Sequence, residues 1–156
     1  MSESHRPEGY STVTPYLTVK GAAEAIDFYK KALGAQEIFR MPMGDRIGHA
    51  ELKIGDSMVM LSDEFPEMDH LGPASRGGAT SSLMVYLENA DAAFDQAVAA
   101  GAKAERAVED QFWGDRMGTI VDPYGHRWML ATHVEDVPPD EMERRMAEAT
   151  KTPENA

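Results

Sequence analysis

His49 and Glu51 stand two positions apart in a stretch of alternating character, so on a strand their side chains share one side. An imidazole beside a carboxylate can work as a general base, the carboxylate orienting the ring and stabilising its protonated form. Together with His133, the same pair could hold a divalent metal. The plainer alternative is a structural hydrogen-bonded pair, because spacing alone places no nucleophile or third ligand beside them. Trp113, in the loop pair Phe112-Trp113, can clamp a flat ligand or seal an interface, and hinge packing is the competing role. Asp45-Arg46 and Asp115-Arg116 read as duplicated turn salt bridges or caps, with anion binding by either Arg the lesser reading.

The elements that must position these groups can be read along the chain. Residues 12–19 alternate β-branched and aromatic side chains, the pattern of a strand. Residues 22–33 set Ala22, Ala25, Ile26, Tyr29 and Leu33 at helical spacing, with Gly34 as the cap. A short strand over 36–41, a turn at 42–45 and strands over 47–54 and 57–62 follow, the last two joined by a tight Gly55-Asp56 turn. Residues 64–80, rich in Pro, Gly, Ser and acidic residues, form a connection long enough to be functional or mobile. The order then restarts: strand 81–87, helix 90–100 closed by Gly101, strand 103–108, and a hairpin of 115–121 and 127–132. Residues 1–10 are a loose polar leader. The acidic tail, 135–156, carries a charged helix over 140–149 whose Met142 and Met146 could rest on the body or on a partner.

This is an α+β chain of two βαβββ modules, 11–63 and 81–134, joined by the linker 64–80. The repeat is visible in residues as well. Gly44-Asp45-Arg46-Ile47-Gly48 recurs seventy positions later as Gly114-Asp115-Arg116-Met117-Gly118, with Gly55 falling on Gly125. Strand alternation sorts the faces. Val13, Leu17, Val19, Ala50, Leu52, Ile54, Leu83, Val85, Trp128 and Leu130 belong under the helices. Thr14, Tyr16, Ile47, His49, Glu51, Ser82, Met84, Tyr86, Met129 and Ala131 lie opposite, with His133 just beyond. A plain solvated face would be richer in Lys and Glu. A sheet curled into a cup explains the mixture, since ligand cavities are largely apolar with a few placed polar groups. Packing of the mixed face on a second subunit is the alternative.

Composition narrows the function classes. Fifteen Lys and Arg against 27 Asp and Glu leave a net charge of −12, unfavourable for nucleic acid or anionic membranes and favourable for solubility. There is no cysteine, which removes disulfides, thiolate nucleophiles and Cys-based zinc sites. The polar first residues have no apolar signal core, and no apolar run reaches a membrane span, so a cytoplasmic protein is expected.

The run from Val19 to Tyr29, followed by Leu33-Gly34-Ala35, resembles the first helix of the glyoxalase/bleomycin-resistance/dioxygenase (vicinal oxygen chelate) superfamily. Asp122-Pro123-Tyr124-Gly125-His126-Arg127 resembles its hairpin before the last strand, and the likeness runs from Val13 to His133. It is nearer still to the PhnB-like, or 3-demethylubiquinone methyltransferase-like, branch around 47–51, 63–66, 108–116 and 125–133. Methyl transfer is not read from these residues, as no Gly-rich loop opens a helix after a strand. The resemblance implies two modules curling around a cavity, often in a homodimer with modules paired or exchanged between chains. It carries the family's metal-ligand positions onto Thr14, Val59, Ser82 and Met129, none a good ligand for Zn, Ni, Fe or Mn.

The expected function is therefore binding of a small organic molecule between the modules, without the usual metal and with no cofactor. Thr14, Tyr16, Ser82, Met84, Tyr86, Trp113, Met129 and His133 are the expected ligand contacts. One alternative is a metal-dependent lyase, isomerase or dioxygenase with a relocated site at His49 and Glu51. Another is a non-catalytic dimeric accessory module.

Overall fold

Pro15 has no N–H to donate to a ladder, and the first strand begins directly after it. In the computed structural model, which describes residues 4–151, β1 is Tyr16–Val19, four residues shorter than alternation suggested. Val13, expected in the core, lies outside the strand and is exposed. Helix α1 (Ala22–Leu33) follows, then β2 (Gln36–Met43), β3 (Arg46–Ile54) and β4 (Ser57–Asp63). The second module repeats the order as β5 (Ser82–Tyr86), α3 (Ala90–Ala99), β6 (Lys103–Asp110), β7 (Asp115–Val121) and β8 (Arg127–His133). Between them α2 (Pro73–Arg76) forms a single turn, and α4 (Pro139–Ala149) ends the described chain.

Each module builds one four-stranded mixed sheet, in the orders β1-β4-β3-β2 and β5-β8-β7-β6. The first and last strands of each module pair in parallel, the other neighbours antiparallel. Among the described residues no strand of one sheet pairs with the other, and the two sheets do not close into a barrel. The expected turn at Pro42 is instead part of β2. That strand lies at a sheet edge and shifts register between Met41 and Pro42, where a missing N–H costs no ladder bond.

One core joins the modules. Val19, Ala25, Ile26, Tyr29, Ala50, Leu52 and Leu61 from the first pack in one cluster with Ala97, Ile120, Trp128 and Leu130 from the second, and α1 lies against α3. Ile47 and Ala131, expected on the mixed faces, are buried. The start of α1 lacks a local side-chain cap, and the Asp63 carboxylate supplies one from the end of β4. Its Oδ1 accepts from the Gly21 and Ala22 N–H groups at 2.9 Å, and its Oδ2 from the Ile47 N–H. The linker is likewise held. Glu64 accepts from Gly72 N–H and Ser75 Oγ, and these bonds outweigh its burial to lower its pKa. Gly72 lies so near Thr18 that a Cβ there would stand 2.7 Å from its carbonyl oxygen. No helix among the described residues is long and apolar enough to cross a membrane.

Candidate functional site

A cavity of about 510 Å³ lies where the modules meet. Module one contributes the lead-in residues Ser11, Val13 and Pro15 and the β3–β4 hairpin from Ile54 to Val59. Module two contributes Leu83 to Leu87 and Trp128. Four successive residues of β5 and the residue after it line the wall because β5 is an edge strand and presents its flank there. The lining is chiefly aliphatic, with Ser11, Asp56, Ser57 and Tyr86 as its polar members. A volume of this size suits a small organic ligand. Of the expected contacts, Met84 and Tyr86 line this cavity; Thr14, Tyr16, Ser82, Trp113, Met129 and His133 lie elsewhere.

Tyr16, His49 and Glu51 come together on the mixed face of the first sheet. Strand pairing dictates it: Met60 of β4 stands between Tyr16 of β1 and Glu51 of β3. The Tyr16 hydroxyl lies 2.9 Å from His49 Nδ1, and His49 Nε2 faces Glu51 Oε1 at 3.6 Å. Tyr10 completes the group, its hydroxyl buried on the Glu51 side of it. Burial, then the Glu51 carboxylate beside it, pushes the Tyr10 pKa up to about 12. His70 of the linker stands edge-on to Tyr16, its Nε2 shared by Thr18 Oγ1 at 3.1 Å and Ser62 Oγ at 2.9 Å. A phenol, an imidazole and a carboxylate in series can relay a proton.

A second polar group occupies the second sheet. Asp115, 2% exposed, accepts from Tyr86 Oη at 3.0 Å and Trp113 Nε1 at 3.1 Å through Oδ2. Its Oδ1 lies 2.8 Å from His133 Nδ1, and the opposite ring nitrogen lies 2.6 Å from Asp136 Oδ1. Burial pushes the Asp115 carboxyl up, but the bonds from His133, Tyr86 and Trp113 together hold it below the usual carboxylate range. Asp136 first, then Asp115, raises the His133 pKa, and the bond to Asp115 raises that of Tyr86. In the sequence Asp115-Arg116 reads as a turn salt bridge or cap. Arg116 instead grips Asp91 and Asp110, leaving Asp115 to gather Tyr86, Trp113 and His133. Arg46 pairs with Glu67 across the linker and stacks on Phe65.

Comparison with known proteins places this geometry. A family model described as the Glyoxalase/Bleomycin resistance protein/Dioxygenase superfamily matches residues 11–130. The chain belongs to that superfamily. The uncharacterised protein Rv0887c of Mycobacterium tuberculosis is 42% identical to this chain over 139 residues, 86% of this chain and 82% of that protein. Among solved structures, TioX from Micromonospora is similar at a TM-score of 0.62 and 26% identity, over 80% of this chain and 99% of TioX. The PhnB protein of Bacillus cereus, described as a putative 3-demethylubiquinone-9 3-methyltransferase, shares the fold at a TM-score of 0.60 and 17% identity, over 78% and 99%.

The metal implied by the superfamily finds no matching donor set at the four corresponding positions. Thr14 precedes β1, Val59 points into the core, and Met129 offers only a thioether. Among the described residues no three of His, Cys, Asp and Glu converge as a metal site. His133, bonded to Asp115 and Asp136, belongs to the second sheet and not to the His49–Glu51 pair. Sequence reasoning missed Tyr10, His70, Asp115 and the β3–β4 hairpin as site components. Only Asp115 had a usable signal, its place in a repeated motif directly after Trp113.

Proposed function

We propose that this superfamily member binds a small organic molecule in the cavity between its modules, without the usual metal, and does so as a homodimer. The cavity itself carries the reading: about 510 Å³, walled by both modules, mainly aliphatic with Tyr86 and a few small polar groups. Thermal shifts across a panel of aromatic, glycopeptide and thiol compounds test it, with Met84→Trp as the filled-cavity control. A compound that raises the melting temperature of the native chain and leaves that variant unmoved is the expected outcome. No shift with any class would count against the reading. Dimerisation is supported by large side chains left open on the mixed faces, among them Tyr16, Phe39, Met41 and Tyr86.

A second reading is an enzyme of the lyase or isomerase kind, favoured by the Tyr16–His49–Glu51 series. His49 would accept a proton, Glu51 would stabilise the imidazolium, and Tyr16 would be the group presented to substrate. Once an activity is in hand, His49→Ala should lower it at least ~100-fold. Unchanged turnover in that variant, with no divalent metal retained by the purified protein, would dismiss this reading.

A further inference from the structure

His133 is bonded at both ring nitrogens to carboxylates, Nδ1 to buried Asp115 at 2.8 Å and Nε2 to solvent-exposed Asp136 at 2.6 Å. A neutral imidazole carries one N–H, and a carboxylate can only accept. Both bonds therefore exist together only when the ring is the imidazolium. Loss of its proton turns one of the two contacts into a lone pair facing a lone pair.

The two carboxylates sit on different bodies of structure. Asp115 opens β7 and holds Tyr86, a member of the cavity wall, and Trp113. Asp136 belongs to the segment that leaves the domain toward α4. That segment is fastened by backbone bonds from Val134 and Glu135 N–H to the Gly114 carbonyl, and by Arg145 of α4, which reaches Glu135, Glu141 and the Phe112 carbonyl. The titratable and charged groups around His133 are thus Asp115 of β7, Tyr86 of β5 through that carboxylate, Asp136, and Glu135 with its partners Arg145 and Glu141.

We propose that His133 is a pH-sensitive pin: protonated, it clamps residues 134–149 onto the 111–114 loop and through Asp115 steadies Tyr86 at the cavity, and deprotonated it releases both. The regulatory half rests on the cavity being the ligand site; the clamping half does not. The sign follows from the raised His133 pKa, which the two carboxylates cause. Clamping is complete below the ordinary histidine range and is lost as pH rises through the folded-state value.

Amide exchange of the intact chain, corrected for intrinsic rates, tests the pin at about pH 5.5 and about pH 8.5, either side of the ordinary histidine range. Exchange over 134–149 should be about tenfold faster at the higher pH. Asp136→Asn should remove that difference, since an amide can donate to or accept from either ring form, and its exposed position makes misfolding no obstacle. Equal protection at both pH values, or the same pH dependence in Asp136→Asn, would overturn the proposal. The Tyr86 ring resonances, followed in the same titration, should move with the His133 inflection; if they stay fixed, the link to the cavity is refuted. Binding of 1-anilinonaphthalene-8-sulfonate separates the two ideas. Weakening of its affinity at least ~3-fold at the higher pH, in the native chain alone, supports the coupling. Failure of this dye to bind at either pH counts against the cavity and leaves the exchange result to judge the clamp.

Discussion

Asp122 shows how much a single side chain can hold in this protein. Its carboxylate is 4% exposed and accepts from Tyr29 Oη at 2.5 Å, Trp128 Nε1 at 2.9 Å, and the Tyr124 and His126 N–H groups. Tyr29 belongs to α1 of the first module, so one residue closes the Asp-Pro-x-Gly hairpin and ties the modules together. Burial, followed by the Asp122 charge, raises the Tyr29 pKa well above its ordinary value. Asp122→Ala would leave two buried donors unpaired and should cost about 3–5 kcal/mol, read from urea denaturation. Tyr29→Phe, which removes one donor and keeps the ring, should cost about 1–2 kcal/mol. Much of this scale was hidden in the sequence. Alternation placed His49 and Glu51 on one side because they share a strand. Tyr16 joined them only through the pairing of three strands, and Tyr29 reached Asp122 across 93 positions.

Elements follow local rules where those rules are strong. Helix α1 occupies 22–33 as its periodicity required, and Gly34 ends it in the left-handed conformation at φ 66°. Departures occur where a tertiary contact replaces a local signal: Asp63 caps α1 from β4, and a sheet edge admits Pro42 into β2. The linker, read as a connection long enough to be functional or mobile, contains a short turn at Pro66–Met68 and α2, tied to the body by the Glu64 and Arg46 contacts. Gly114 is the element-scale feature most open to test. Its φ is 101°, and a Cβ there would stand 2.1 Å from the Glu135 carbonyl oxygen. Gly114→Ala should therefore displace the segment leading to α4 while the two sheets persist. Faster amide exchange over 134–149, with protection of β7 and β8 kept, is the expected pattern; unaltered exchange there would refute the role given to Gly114.

At the scale of the whole molecule, the apolar faces share one core and the mixed faces remain open. Phe39, Met41, Met43 and Tyr86 are each 46–61% exposed, together more apolar surface than a solvated face needs. Light scattering should give about twice the 17.2 kDa chain mass. Paired Phe39→Glu and Tyr86→Glu substitutions should shift the population toward monomer, and a native chain that runs as a monomer at high concentration would refute the homodimer. The sequence by itself determined the class of the fold, the duplication, the three long helices and the faces of most strands. Those depend on periodicity and turn chemistry, which act over a few residues. The tertiary structure alone decided that Asp115 would gather Tyr86, Trp113 and His133, that Tyr16 would meet His49, and that the cavity would open along the edge of β5. These depend on which strands pair and how two modules dock, distances that no local pattern encodes.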